Sequence, residues 1–263
     1  MALRHQAERQ LIFDAGSLGR YSAERALELR RFFDLPDWFT TNREAGFHGR
    51  IASAAMRMRV GRFLPYSGVN DASFAKHLRH ATRTTAPRRL VLDGYFQRDW
   101  PWSTFDNVRQ ELIAMLKAAP ARPNATYEFD CSMHIRGGDF LASERYRVVD
   151  TEFYTRALAA LKQQMKVNSV YVVTDDSAHA KRIVSTIESR LPGTRLHVPD
   201  ERGDMTQDFT TLRQAKARII GNSTFSWWAA ALDPHRAITI GPNQWIRGQD
   251  RNLILPWETI LPV

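Results

Sequence analysis

The chain is poor in cysteine, in lysine and in long apolar runs. Cys131 is the only cysteine among 263 residues, so an internal disulfide and a four-cysteine zinc site are both excluded. A cytoplasmic protein is the simplest reading of that scarcity. No stretch approaches the roughly 18–20 consecutive apolar residues of a membrane-crossing helix. The opening segment, MALRHQAERQ, has no apolar run followed by a small-residue cleavage site, so no secretory leader is expected. Internal repeats and low-complexity tracts are also missing from the sequence.

What is present suits a folded globular protein. Hydrophobic residues make up 43%, charged residues 25% and aromatic residues 11%, which excludes a wholly disordered chain. The length fits one large domain or two modest ones. Basic residues number 37 against 28 acidic ones, and 31 of the 37 are Arg with only six Lys. Arg grips phosphate through a planar fork, so this bias fits an anionic ligand. The nucleotide composition of a genome produces the same bias. Charge alone does not choose among nucleic acid, anionic membrane and nucleotide. Here the basic residues are spread along the whole chain and no nucleic-acid module is evident, which argues against nucleic acid.

The first hundred residues are weakly periodic. LIFD (11–14) reads as a buried strand, and SAERALELRRFF (22–33) as a helix with Ser22 as N-cap and Glu24 in its first turn. RLVLD (89–93) reads as a strand, and 103–118 as an amphipathic helix capped by Ser103 or Thr104. The Pro-containing AAPARPNAT (118–126) is the best linker. It divides the chain into 1–120 and 121–263. Beyond it, strands expected at 127–134, 168–173, 194–198, 217–220 and 236–240 alternate with helices at 151–166, 177–190 and 206–216 and a short one before the last strand. This order predicts an α/β fold with a parallel sheet covered by helices on both faces. Ligands in such sheets bind beyond the carboxyl ends of the strands, which singles out HIRGGDF, TDD and GNSTFSWW.

HIRGGDF places His134 and Arg136 where a strand runs out, and Gly137 and Gly138 let the backbone turn sharply towards a ligand. Arg136 can fork onto a diphosphate and neutralise a leaving group, or pair with Asp139 to close a turn. In GNSTFSWW, the hydroxyls of Ser223, Thr224 and Ser226 at a helix start can form an anion site. Ser223 or Thr224 can equally be that helix's N-cap. Trp227 and Trp228 read as core. Asp208, at the start of the preceding helix, is either a charge favourable to a helix N-terminus or an acceptor for a base edge. Asp175 and Asp176 read as a cap for helix 177–190 in preference to a metal pair, and His179 as a surface residue.

These segments together resemble the bacterial α-1,2-fucosyltransferases of glycosyltransferase family 11. The elements of the resemblance are HIRGGDF, the NSVYVVTDD strand, DFTTLRQAKARIIGNSTFSWWAAAL and the closing PWETI. The family signature HxRRxD matches His134, Arg136 and Asp139, with Gly137 in place of its second Arg. LVLDGYFQ (90–97) resembles an L-x-G-Y-x-Q block, and RALELRRFFDL (25–35) an R-x-x-E-L-x-x-F block. Family members open on a strand and a Gly-rich loop close to GGLGNQM. That loop has no counterpart here, so the N-terminal half is expected to be incomplete.

The resemblance implies two Rossmann-like halves in a GT-B-like arrangement. The N-terminal half (1–120) would face the acceptor and the C-terminal half (121–263) would hold GDP-fucose. L-fucose would pass with inversion to a galactoside hydroxyl in α-1,2 linkage, with no cofactor and no obligatory metal. Arg136 would meet the β-phosphate, and His134 and Asp208 the guanosine part. Asn222 at the helix start and Ser223, Thr224, Phe225 and Ser226 would wrap the phosphates. Asp139, Glu144 ten residues after His134, or a residue of the N-terminal half would be the base. The acceptor class is a cell-envelope glycan, including a lipid-linked one at the inner membrane face, where the basic N-terminal half could rest on anionic lipid. Two alternatives are a GDP-sugar-binding protein with impaired catalysis and a fucosyltransferase of another linkage such as α-1,6.

Overall fold

The computed structural model describes residues 11–13, 29–34, 39–41, 67–70, 90–93, 102–117, 129–146, 148–200 and 203–263. The expected Ser22 cap, Glu24, GYFQ and the linker 118–126 lie outside these residues. The chain divides into two compact units, Met1–Lys117 and Ala118–Val263.

In the first unit, β1 (Leu11–Phe13) pairs in parallel with β2 (Phe39–Thr41), and β3 (Ser67–Asn70) with β4 (Leu90–Asp93). Helix α1 (Leu29–Phe32) is tied to the end of α2 (Trp102–Met115). There the Asp34 N–H donates to the Met115 carbonyl and the Lys117 N–H to the Phe32 carbonyl, each at 2.8 Å. Helix α2 begins at Trp102, so Ser103 and Thr104 lie inside its first turn instead of before it.

The second unit follows the expected alternation closely. Its elements are β5 (Cys131–Ile135), α3 (Thr151–Gln164), β6 (Ser169–Thr174), α4 (Ser177–Arg190), β7 (Arg195–His197), α5 (Met205–Gln214), β8 (Ala217–Ile219), α6 (Thr224–Ala231) and β9 (Ile238–Pro242). A small hairpin of β10 (Gln244–Ile246) and β11 (Gln249–Asp250) then leads to β12 (Glu258–Leu261). Six strands form one sheet in the order β12-β9-β8-β5-β6-β7, every pairing parallel. β5 starts later than expected because the Asp130 carboxylate accepts the N–H groups of Asn168 (2.8 Å) and Ser169 (3.2 Å) at the foot of the neighbouring strand. Among the described residues, no helix is long and apolar enough to cross a membrane.

The sheet has two unlike faces, as the two-residue period of a strand requires. Cys131, Met133, Ile135, Val170, Val172, Leu196, Ala217, Ile219 and Ile240 form one apolar cluster with Phe153, Tyr154, Leu158 and Leu161 of α3 and Ile183 and Ile187 of α4. Alternate positions carry Ser132, His134, Arg218 and Thr239, which are also buried. Strand β6 is buried along its whole length and adds the apolar Tyr171 and Val173 to this second face, while the polar residues of the other strands need partners.

Arg218 finds them below the site. Its guanidinium pairs with Asp233 at 2.6 Å and donates to the carbonyls of Arg213 (3.1 Å) and Ala215 (3.2 Å). Asp233 also accepts the N–H groups of His235 (2.9 Å) and Ala237 (2.8 Å). This knot joins the end of α5, strand β8 and the residue after the α6 C-cap, and so anchors the C-terminal end of α6. β12 was legible only as a sequence block. Its Glu258 points inward and pairs with buried Arg251 at 2.5 Å.

Candidate active site

The sheet order has a reversal. Counted along the chain, the six strands lie as 3-2-1-4-5-6, read from β7 to β12. The direction of winding therefore changes between β5 and β8. In an open parallel sheet such a switch point opens a crevice at the carboxyl ends of the strands, where the two loops leave in opposite directions. HIRGGDF leaves β5 and GNSTFSWW leaves β8. The residues singled out from sequence thus flank one crevice.

His134 lies near the end of β5. It is buried, and its ring is 5.9 Å from that of Phe225. Phe225 in turn meets Phe209 of α5 at 5.6 Å. Asp208, which precedes Phe209 in the chain, is buried in the first turn of α5. Burial pushes the His134 imidazole down to about 3, with the Arg136 charge adding to the effect. The ring is neutral at ordinary pH, and its buried Nδ1 has no hydrogen-bond partner among the described residues. A neutral, unsatisfied ring nitrogen beside an aromatic side chain suits a planar polar ligand.

Arg136 follows at the crevice rim. Its Nη2 bonds Asp139 at 2.5 Å, its Nη1 pairs with Asp175, and its guanidinium lies 4.8 Å from the centre of the Phe140 ring. The cap expected of the acidic pair at 175–176 is made by Asp176 alone, which accepts the His179 N–H at 2.9 Å. That bond holds its carboxyl below the usual carboxylate range, and the Gly138 N–H adds to this. Asp175 turns back and accepts the Gly137 N–H at 2.7 Å. The close backbone approach expected of the two glycines is therefore made to the acidic pair. A Cβ on Gly137 would lie 2.5 Å from the Asp176 Cβ, and Gly138 has φ +53°. His179 is half-buried, and burial pushes its imidazole below the ordinary histidine value.

At the other wall, Ser223 occupies the N-cap position of α6, but its hydroxyl makes no bond to the first turn. Ser226 is buried and donates its hydroxyl to the Ser223 carbonyl at 3.1 Å. Thr224 is exposed and Phe225 half-buried. The Asn222 amide donates to the carbonyls of Tyr146 (2.6 Å) and Trp245 (3.3 Å), so it ties the wall to the post-β5 loop and to β10. Trp227 is core, as expected, while Trp228 is half-buried. Glu144 is exposed on the loop after β5, with its carbonyl accepting from Arg247 Nε at 3.1 Å.

The structure thus gathers His134, Arg136, Asp139, Asp208 and the 222–226 segment around the switch point, and leaves Glu144 further along the loop. Sequence reading placed Asp175 in a helix cap, whereas it holds Arg136 and the Gly137 N–H, and it passed over Phe140 and Tyr154.

Residues 77–252 match the family model described as Glycosyl transferase family 11. An alpha-1,2-colitosyltransferase of Escherichia coli is 28% identical over 130 residues, covering 48% of this chain and 44% of that protein. The O-antigen biosynthesis glycosyltransferase WbnK of Escherichia coli is 26% identical over 126 residues, covering 46% and 40%. Each match spans less than half of the relative's length. The family match, in contrast, takes in β5 to β11 and both walls of the crevice, and by it the chain belongs to glycosyl transferase family 11.

Proposed function

We propose that this protein is an inverting glycosyltransferase that moves L-fucose from GDP-fucose to a galactoside hydroxyl in α-1,2 linkage. One observation carries the reading. His134, the first residue of HIRGGDF, and Phe225 of GNSTFSWW meet at the switch point, so the two segments stand side by side where a donor would sit. The α-1,2 linkage is supported by the name of the colitosyltransferase relative, and a cell-envelope glycan acceptor by that of the O-antigen relative.

In this reading His134 and Asp208 hold the guanosine part. Arg136 and the start of α6, Asn222 to Ser226, take the charge of the departing diphosphate. Glycosyl transfer passes through an oxocarbenium-like state, as glycoside hydrolysis does. The leaving phosphate gains charge there, and an Arg held in place stabilises it more than the ground state. A carboxylate, Asp139 or Glu144, takes the proton from the acceptor hydroxyl. No divalent metal is required. The site would work at the inner face of the membrane if the acceptor is lipid-linked.

The test is calorimetry of GDP and GDP-fucose on the purified chain, with and without a chelator, followed by transfer to galactosides. Chelator-resistant binding and transfer are expected. A colitosyl donor belongs in the same assay because one relative is named for that group. Faster transfer from it would reassign the sugar, and binding without any transfer would indicate a GDP-sugar-binding protein.

A further inference from the structure

Arg136 is held by two carboxylates of unlike character. Asp139 is 54% exposed and follows it by three residues on the 3-10 turn Gly138–Phe140. Asp175 is 13% exposed and comes from another strand end. Asp175 also has a second hold, the Gly137 N–H at 2.7 Å. The Gly137 N–H and the Arg136 guanidinium belong to adjacent residues, so one carboxylate sets both the backbone path and the direction of the Arg side chain. Phe140 lies 4.8 Å from the guanidinium and limits its swing on the remaining side.

A diphosphate arriving at Arg136 meets a site already neutralised. It must replace one carboxylate, and the exposed one on a short local turn is easier to remove than the more enclosed one bonded to the backbone. We propose that Asp175 is a positioning residue for the donor site. It keeps Nη1 of Arg136 and the Gly137 N–H, while the donor's diphosphate displaces Asp139 from Nη2. This rests on the donor-site reading above. It makes the two carboxylates act in opposite senses: Asp175 supports diphosphate binding and Asp139 competes with it.

Calorimetry of GDP and GMP on the full chain separates these roles, since GMP lacks the β-phosphate. Asp175→Asn is expected to weaken GDP about tenfold and GMP less than about threefold, as loss of one charge-assisted contact would. Asp139→Asn is expected to tighten GDP about threefold or more, the reverse sign. In an Arg136→Gln background, Asp175→Asn should change GDP affinity no further, because the two residues act as one unit. Equal weakening of GDP and GMP by Asp175→Asn would show a merely structural role and overturn the proposal, as would unchanged GDP affinity. Should Asp175→Asn fail to fold, Asp175→Glu, which keeps the charge and shifts it outward, must still weaken GDP selectively, and Asp139→Asn must still tighten it. A folded wild-type chain that binds neither GDP nor GMP would overturn the donor reading itself. Wild-type binding with an indifferent Asp175 variant would overturn only this inference.

Discussion

Tyr154 donates its hydroxyl to the carbonyl of His134 at 3.0 Å, from helix α3 to the end of β5. Both residues are buried, and the chain turns into the candidate site two residues later. Burial raises the Tyr154 phenol well above its ordinary value, so it remains a protonated donor at any physiological pH. Tyr154→Phe would leave a buried carbonyl without its partner, at a cost of about 1–3 kcal/mol. Urea denaturation should show that loss. A variant as stable as the wild type would mean that the carbonyl has another partner.

The neutral state of His134 gives stability a pH dependence of definite sign. Unfolded, the imidazole titrates near 6.5; folded, burial holds it at about 3. Between those values the unfolded chain binds the extra proton. Stability from this residue is therefore complete above about pH 6.5 and declines as pH falls towards 3, by at most about 1.4 kcal/mol per pH unit. Denaturation midpoints of the wild type and His134→Gln at pH 7, 6, 5 and 4 check it. The variant's profile should be the flatter of the two.

Arg136→Ala should separate function from fold. The side chain is partly exposed at the sheet rim, and its partners Asp139 and Asp175 keep access to water. Circular dichroism and melting are expected to change little. Transfer should fall by about 10²–10³-fold, the usual effect of removing a preorganised group at a developing charge. Retained transfer would remove Arg136 from the reaction.

Gly137 stands where the family signature has a second Arg, and the structure supplies a steric reason. A Cβ there would come within 2.5 Å of the Asp176 Cβ, an atom fixed by the helix cap it belongs to. Gly137→Arg, which restores the signature, is expected to destabilise the chain by about 1–3 kcal/mol, as overpacking does. Gly137→Ala isolates the Cβ alone and should account for most of that loss in a thermal melt. A stable Gly137→Arg variant would show that α4 can shift its first turn.

Much of the second unit was legible because its signals are local. Helix 177–190 coincides with the expected range. Its acidic cap, apolar period and flanking Pro and Gly all lie within a few residues of one another. The strand ends were misplaced by up to four residues, as at β5, because a cap on a neighbouring strand, Asp130 to Asn168 and Ser169, sets the start of the ladder. β12 escaped notice because ETIL has no apolar alternation of its own. It is made a strand by its parallel pairing with β9 and by the Arg251–Glu258 pair.

The chemistry-bearing segments were found from residue type and from their position after strands, and that much is a property of sequence. Spacing along the chain indicated alternating strands and helices, hence a parallel sheet and the edge at which a ligand would sit. The sequence could not say which loops become neighbours. That depends on strand order, and the reversal between β5 and β8 is a long-range choice made by packing. Nor could it divide the labour of Asp175 and Asp176. Adjacent and chemically identical, they differ only in direction: one points along its own helix to the His179 N–H, and the other crosses to Arg136 and the Gly137 N–H. Side-chain direction at the end of a strand is set by what lies beside it, and only the tertiary structure brings that neighbour into place.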